Sequence, residues 1–185
     1  MQLGFSFDQS KCVGCYMCTF TCMVERNVPF DIYWRKIIWI NSKTPLAFFA
    51  RSCLHCAEPP CLDACPQGAI FKRDKDGLVL IDQDECLGKD DCGLCKEACP
   101  YDVPQFGPEN DSKMTKCDFC VDRLDEGEKP YCVMGCSHGA LKYGPLDELK
   151  SEFDGENPAN GFSYSEEAKP SFVSKEGAAA YFWLS

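Results

Sequence analysis

Every cysteine of this 185-residue protein falls in one of four groups of four. They are Cys12, Cys15, Cys18 and Cys22; Cys53, Cys56, Cys61 and Cys65; Cys86, Cys92, Cys95 and Cys99; and Cys117, Cys120, Cys132 and Cys136. A [4Fe–4S] cluster takes four thiolates, so sixteen thiols in quartets match four clusters. The first group, Cys12-x2-Cys15-x2-Cys18-x3-Cys22, has the spacing of the bacterial ferredoxin run. In two-cluster ferredoxins the last cysteine of each run ligates the other cluster, so the groups are expected to work in pairs. A chain tied this way is constrained by metal before hydrophobic burial, and the pattern points to electron carriage.

Two other uses of cysteine compete. Disulfides suit small secreted scaffolds. Here the N-terminus, MQLGFSFDQSK, shows no charged region followed by a long apolar one, so no signal peptide is expected and a cytoplasmic location is. Export alongside a signal-bearing partner is the alternative. Thiols three or four residues apart also share a metal more readily than they form a staple. Zinc is the second competitor. Group four, Cys117-x2-Cys120-x11-Cys132-x3-Cys136, resembles a zinc ribbon when taken alone, whereas three cysteines at x2, x2 spacing in group one crowd a tetrahedral ion.

The formal net charge of −10 argues against a nucleic-acid partner, which would need a basic face. Apolar runs such as 78–81 and 177–184 are too short to span a bilayer. No glycine-rich nucleotide loop, Ser–His–Asp set or paired-carboxylate site is visible, so the chain is expected to carry no substrate chemistry.

Local patterns place the groups. Strands are expected at 5–8, 33–40 and 139–144. Asp76-Gly77 between the apolar runs 69–73 and 78–81 marks a hairpin. Short helices are expected at 18–26, 61–65, 95–99 and 132–136, with Pro66 and Pro100 stopping two of them. Gly14 and Gly93 are expected to allow close backbone approach and to free amides for sulfur. Residues 151–176 read as a polar loop. The apolar end, 177–184, reads either as a packed terminus or as a docking strip. Of the two histidines, His55 and His138, the former lies between candidate ligands; the cysteine count leaves it a supporting or surface place. Trp34 and Trp39 read as core. Lys72, Arg73 and Lys75 read as a solvated turn, with a docking patch as the alternative.

Four stretches carry a family resemblance over residues 5 to about 150. They are Cys12-Val-Gly-Cys15-Tyr-Met-Cys18; Cys53-Leu-His-Cys56-Ala-Glu-Pro-Pro-Cys61-Leu-Asp-Ala-Cys65-Pro66; Ala98-Cys99-Pro100-Tyr101-Asp-Val-Pro-Gln-Phe106; and Lys116-Cys117-Asp-Phe-Cys120-Val-Asp-Arg123, leading to Cys132 and Cys136. The protein resembles the four-cluster iron–sulfur subunits of molybdopterin oxidoreductases of the dimethyl-sulfoxide and polysulfide reductase type. In its small size it is also similar to electron-transfer subunits of tungsten class II benzoyl-CoA reductases. The resemblance implies that group one pairs with group four, and group two with group three. The implied ligand sets are Cys12, Cys15, Cys18 with Cys136; Cys117, Cys120, Cys132 with Cys22; Cys53, Cys56, Cys61 with Cys99; and Cys86, Cys92, Cys95 with Cys65. It also implies a larger subunit holding a molybdenum or tungsten pterin, often with a further donor or acceptor protein. One departure stands out: the first gap of group three, Cys86 to Cys92, is three residues longer than the family's.

The expected fold is α+β, with tandem ferredoxin-like halves around [4Fe–4S] clusters. One half comprises residues 1–50 and 107–150; the other, 51–106, is inserted in it; 151–185 forms a C-terminal docking extension. The expected function is electron transfer by a non-catalytic subunit. A free-standing polyferredoxin and a zinc-stabilised interaction module are the alternatives.

Overall fold

The computed structural model describes residues 1–40 and 46–177. Its elements run in the order β1 (Leu3–Asp8), α1 (Met17–Glu25), β2 (Arg35–Ile40), β3 (Ala47–Ser52), α2 (Pro60–Asp63), β4 (Ile70–Lys72), β5 (Val79–Ile81), α3 (Leu94–Glu97), α4 (Val121–Asp125), α5 (Tyr131–Met134), β6 (Leu141–Pro145), α6 (Leu146–Glu152) and β7 (Phe172–Lys175). Short helices and short, mainly antiparallel strands make this an α+β fold.

β1 is the centre of a three-stranded sheet ordered β6-β1-β7. It pairs antiparallel with β6, Phe5 opposite Tyr143, and parallel with β7, Phe5 opposite Phe172. Packing on both faces explains why Phe5, Ser6 and Phe7 are all essentially inaccessible. β2 and β3 form a separate antiparallel ribbon, and β4 and β5 form the hairpin turned by Asp76-Gly77. Gly77 adopts φ +70°, the left-handed conformation that glycine takes without steric penalty.

The main core is aromatic. Phe5 stacks on Phe119 with ring centroids 4.0 Å apart, and Phe49 meets Phe172 edge-on at 6.0 Å. A smaller core of Ile70, Val79 and Met114 closes around Cys61 and Cys95. Cysteines line both cores. α2, α3 and α5 are four residues each. A single helical turn cannot persist alone in water, so packing at these cysteines must hold it.

The polar-loop reading of 151–176 needs correction. The end of α6 runs into the segment, and near the segment's own end β7 enters the sheet beside β1. Phe172 and Ser174 face inward from β7, and a four-residue strand among polar residues gives too short an alternation to stand out. β3 went unforeseen for a related reason: Ala47, Phe48, Phe49 and Ala50 are all buried, so the run lacks alternation. Trp39 corrects another expectation. It is 59% exposed, with its indole N–H donating to the Tyr16 hydroxyl at 2.8 Å. Trp34 is half-buried and donates to Thr115 Oγ1. The apolar end considered as a docking strip lies, beyond Gly177, outside the described residues.

Candidate metal centres

Three small cavities of similar size are each ringed by four cysteines. The first is lined by Cys12, Cys15, Cys18 and Cys136. The second is lined by Cys53, Cys56, Cys61 and Cys99, and the third by Cys65, Cys86, Cys92 and Cys95. The remaining four cysteines also adjoin. Cys22 feels the charges of Cys132 and Cys120, and Cys117 those of Cys22 and Cys132, where α1 packs on α5. In every set three thiols come from one sequence group and the fourth from another.

Backbone conformation repeats with the sequence. The residue before the second cysteine has positive φ in three groups: Gly14 at +67°, His55 at +43° and Phe119 at +64°. Alternating right- and left-handed residues turn successive N–H groups to one side, forming a nest for anions. At Gly14 an added Cβ would also collide with the Phe48 ring, so glycine is required twice over. Gly93 is different. It has φ −141° and open space where a Cβ would go, so close approach does not explain it. Amides do reach sulfur: Phe119 N–H donates to Cys117 Sγ and Met114 N–H to Cys86 Sγ, both at 3.4 Å.

The long gap of group three is absorbed by a turn. Gly88, at φ +99°, lies against the Asp111 carbonyl, and the Cys92 N–H returns to the Gly88 carbonyl at 3.0 Å. Lys89 and Asp90 N–H groups bond to the Ser112 and Asn110 carbonyls. Cys86 and Cys92 therefore still reach the same cavity.

His55 is fully buried, which rules out a surface place for it. Its Nδ1 accepts the Val79 N–H at 3.1 Å and its ring meets Phe119 edge-on, while Nε2 has no partner. Burial and the nearby Lys116 and Arg35 cations hold its pKa well below 6.5, so the ring is neutral. The basic hairpin carries ion pairs, and Lys75 stays exposed within them, as expected for a solvated turn. Arg73 pairs with Asp76 and Asp125, Lys75 with Asp125, and Lys72 donates to the Ala57 carbonyl.

Residues 44–146 match the 4Fe-4S dicluster domain family. The protein belongs to that family. This 4Fe-4S dicluster protein is 38% identical over 164 residues to one of the chains of the anaerobic dimethyl sulfoxide reductase of Escherichia coli, covering 82% of its own length and 77% of that relative's. It is 39% identical over 149 residues to the thiosulfate reductase electron transfer subunit of Salmonella typhi, covering 76% and 74%. It is 33% identical over 176 residues to a subunit of the sulfite dehydrogenase of Allochromatium vinosum, covering 82% and 72%.

The donor sets of this dicluster protein fit iron–sulfur clusters. Burial, then mutual repulsion, pushes the thiols of Cys56 and Cys61 up to about 12, and burial raises Cys18 and Cys22 equally far. Thiols in that state become joint thiolates only around a cationic centre. Among the described residues no three His, Cys, Asp or Glu side chains converge on the position of a single ion. Four thiols around a wider cavity suit a cluster, whose sulfurs stand farther apart than those on one zinc. Sequence reasoning passed over one residue here. Arg35 lies in phase with buried Ile37 on β2 and is itself 1% exposed. A cation on the inward register of an apolar strand was the available signal.

Proposed function

We propose that this chain relays electrons through four [4Fe–4S] clusters to or from a larger catalytic subunit holding a molybdenum or tungsten pterin. The clusters would be held by Cys12, Cys15, Cys18 and Cys136; by Cys117, Cys120, Cys132 and Cys22; by Cys53, Cys56, Cys61 and Cys99; and by Cys86, Cys92, Cys95 and Cys65. When bound, each supplies one-electron transfer without substrate chemistry. The observation that carries the reading is the set of near-equal cavities, each ringed by thiols from two sequence groups. The polypeptide's part is to keep the clusters close, to exclude water with Phe119 and its aromatic neighbours, and to aim amides at sulfur. The ligand sets divide the molecule into two ferredoxin-like halves, with groups two and three inserted between groups one and four.

The catalytic partner follows from the relatives, whose names place them in dimethyl sulfoxide and thiosulfate reductases. No helix of the described residues is long and apolar enough to cross a membrane. Protein purified without oxygen should contain about 16 iron atoms per chain, four for each of four clusters, and be brown, bleaching on reduction. Zinc in place of most of the iron would overturn the reading. Anomalous scattering from crystals should then find iron in each two-group set; clusters closed by a single sequence group would refute the pairing.

A further inference from the structure

Arg35 occupies a place that no ordinary ion pair explains. It opens β2, opposite Ser52 on β3, and its guanidinium is enclosed by protein. One nitrogen, Nη1, donates to the Ala50 carbonyl at 3.3 Å. The guanidinium carbon lies 4.6 Å from the centre of the Phe5 ring. Nε and Nη2 are buried and have no hydrogen-bond partner. Among the described residues no carboxylate lies within ion-pair distance. A buried, unpaired charge costs several kcal/mol, and arginine cannot escape by losing its proton.

The compensating charge is sulfur. The groups that favour the charged guanidinium are, in order, Cys132, Cys117, Cys18 and Cys22. Three of these belong to the set around Cys120, and Cys18 belongs to the set around Cys15. The two sets adjoin at this point, since Cys18 also feels Cys132. Lys116 provides a contrast. It is buried beside the cavity of Cys53 and Cys61, but its ammonium donates to the Val79 and Cys117 carbonyls. Arg35 keeps two buried donor nitrogens, Nε and Nη2, without a protein partner.

We infer that Arg35 is a positioning residue for electrons: its fixed charge, shared by the Cys22/Cys117/Cys120/Cys132 and Cys12/Cys15/Cys18/Cys136 centres, raises the reduction potential of both, and of the former more. This role presupposes the cluster reading above. A cluster with four thiolates is anionic and gains one further negative charge with each electron, supplied by the redox partner or by dithionite in a titration. A nearby guanidinium in a low-dielectric interior favours that gain, and free N–H donors strengthen as sulfur becomes more negative.

The test compares the full chain, purified with its partner, as wild type, Arg35→Gln and Arg35→Lys. Iron per chain is measured first, followed by redox titration monitored by electron paramagnetic resonance. Low iron in the wild type would defeat the cluster reading and is distinct from failure of this inference. With iron intact, Arg35→Gln should lower one centre's reduction equilibrium about tenfold, which is about 59 mV for one electron. A second centre should fall less, and the remaining two should stay put. Arg35→Lys should recover most of the loss. Unchanged potentials in an iron-replete Arg35→Gln protein would overturn the role. If that variant loses iron, the measurement passes to Arg26→Lys, Arg123→Lys protein labelled with ¹⁵N-arginine, because Arg26 and Arg123 are arginines coupled to Cys120. Pulsed resonance of the reduced centre must then show coupling to arginine nitrogen, and its absence would overturn the role equally.

Discussion

His55 shows how a residue can sit between ligands and work through the backbone. Its ring fills the space beside Phe119 and accepts the Val79 amide, tying the cysteine loop of group two to the hairpin strand β5. Its own φ is +43°, a conformation that costs most residues about 1 kcal/mol or more and that asparagine tolerates best after glycine. His55→Leu should leave the Val79 N–H buried and unpaired, a cost of about 1–3 kcal/mol. Cluster bleaching in urea should accelerate about fivefold or more, since each 1.4 kcal/mol is a factor of ten. His55→Asn keeps an acceptor and suits the backbone, so it should bleach more slowly than the leucine variant. Equal rates for the two would show that ring volume, and not the hydrogen bond, is what matters. Gly14 and Gly93 teach the same lesson: identical residues between cysteines, yet only Gly14 has a positive φ and a ring where its Cβ would go.

At the scale of elements, the loop of group three is the informative case. Its long first gap closes because Gly88 turns at φ +99° while Lys89 and Asp90 pair with the backbone of Asn110 and Ser112. An added Cβ at Gly88 would stand 3.0 Å from the Asp111 carbonyl oxygen and require a strained φ. Gly88→Ala should therefore release the cluster assigned to Cys65, Cys86, Cys92 and Cys95 selectively. Iron should fall by about a quarter, one cluster in four. Iron analysis with counting of resonance signals checks this, and a full complement would show that the loop adapts. β7 is informative in another way. It adds a parallel strand to β1 from far along the chain and delivers Phe172 to the aromatic core, so residues 172–175 belong to the fold itself.

For the whole molecule, the consequence is that metal and core are one system. Cysteines line both hydrophobic cores, and three of the helices are single turns. Without clusters, thiols pushed up to about 12 at Cys18, Cys22, Cys56 and Cys61 stay protonated and hold nothing together. Binding and folding are coupled in such systems. Removing iron with chelator and oxidant should therefore abolish most of the helical circular dichroism and open the chain to protease along its length. Retention of a protease-resistant core without iron would show that the aromatic cluster around Phe5, Phe49 and Phe172 suffices.

Spacing along the chain was enough to indicate the metal chemistry, the electron-carrying role and the short helices at the cysteines, because thiols three or four residues apart report local geometry directly. The Asp76-Gly77 hairpin and the strands at β1, β2 and β6 were legible for the same reason: their signals lie within a few residues. Which thiols meet was not contained in any one group. It depends on α1 meeting α5 and α2 meeting α3, contacts between distant segments. β3 and β7 escaped because a strand buried on both faces has no alternation to read, and one only four residues long has too short a one. Only the tertiary structure decided that Trp39 faces outward, that His55 is sealed in, and that Arg35 lies near thiols and, among the described residues, beyond ion-pair distance of a carboxylate. Burial of a polar side chain depends on what other segments bring to it, and no stretch of sequence around position 35 records that Cys18, Cys22, Cys117 and Cys132 gather there.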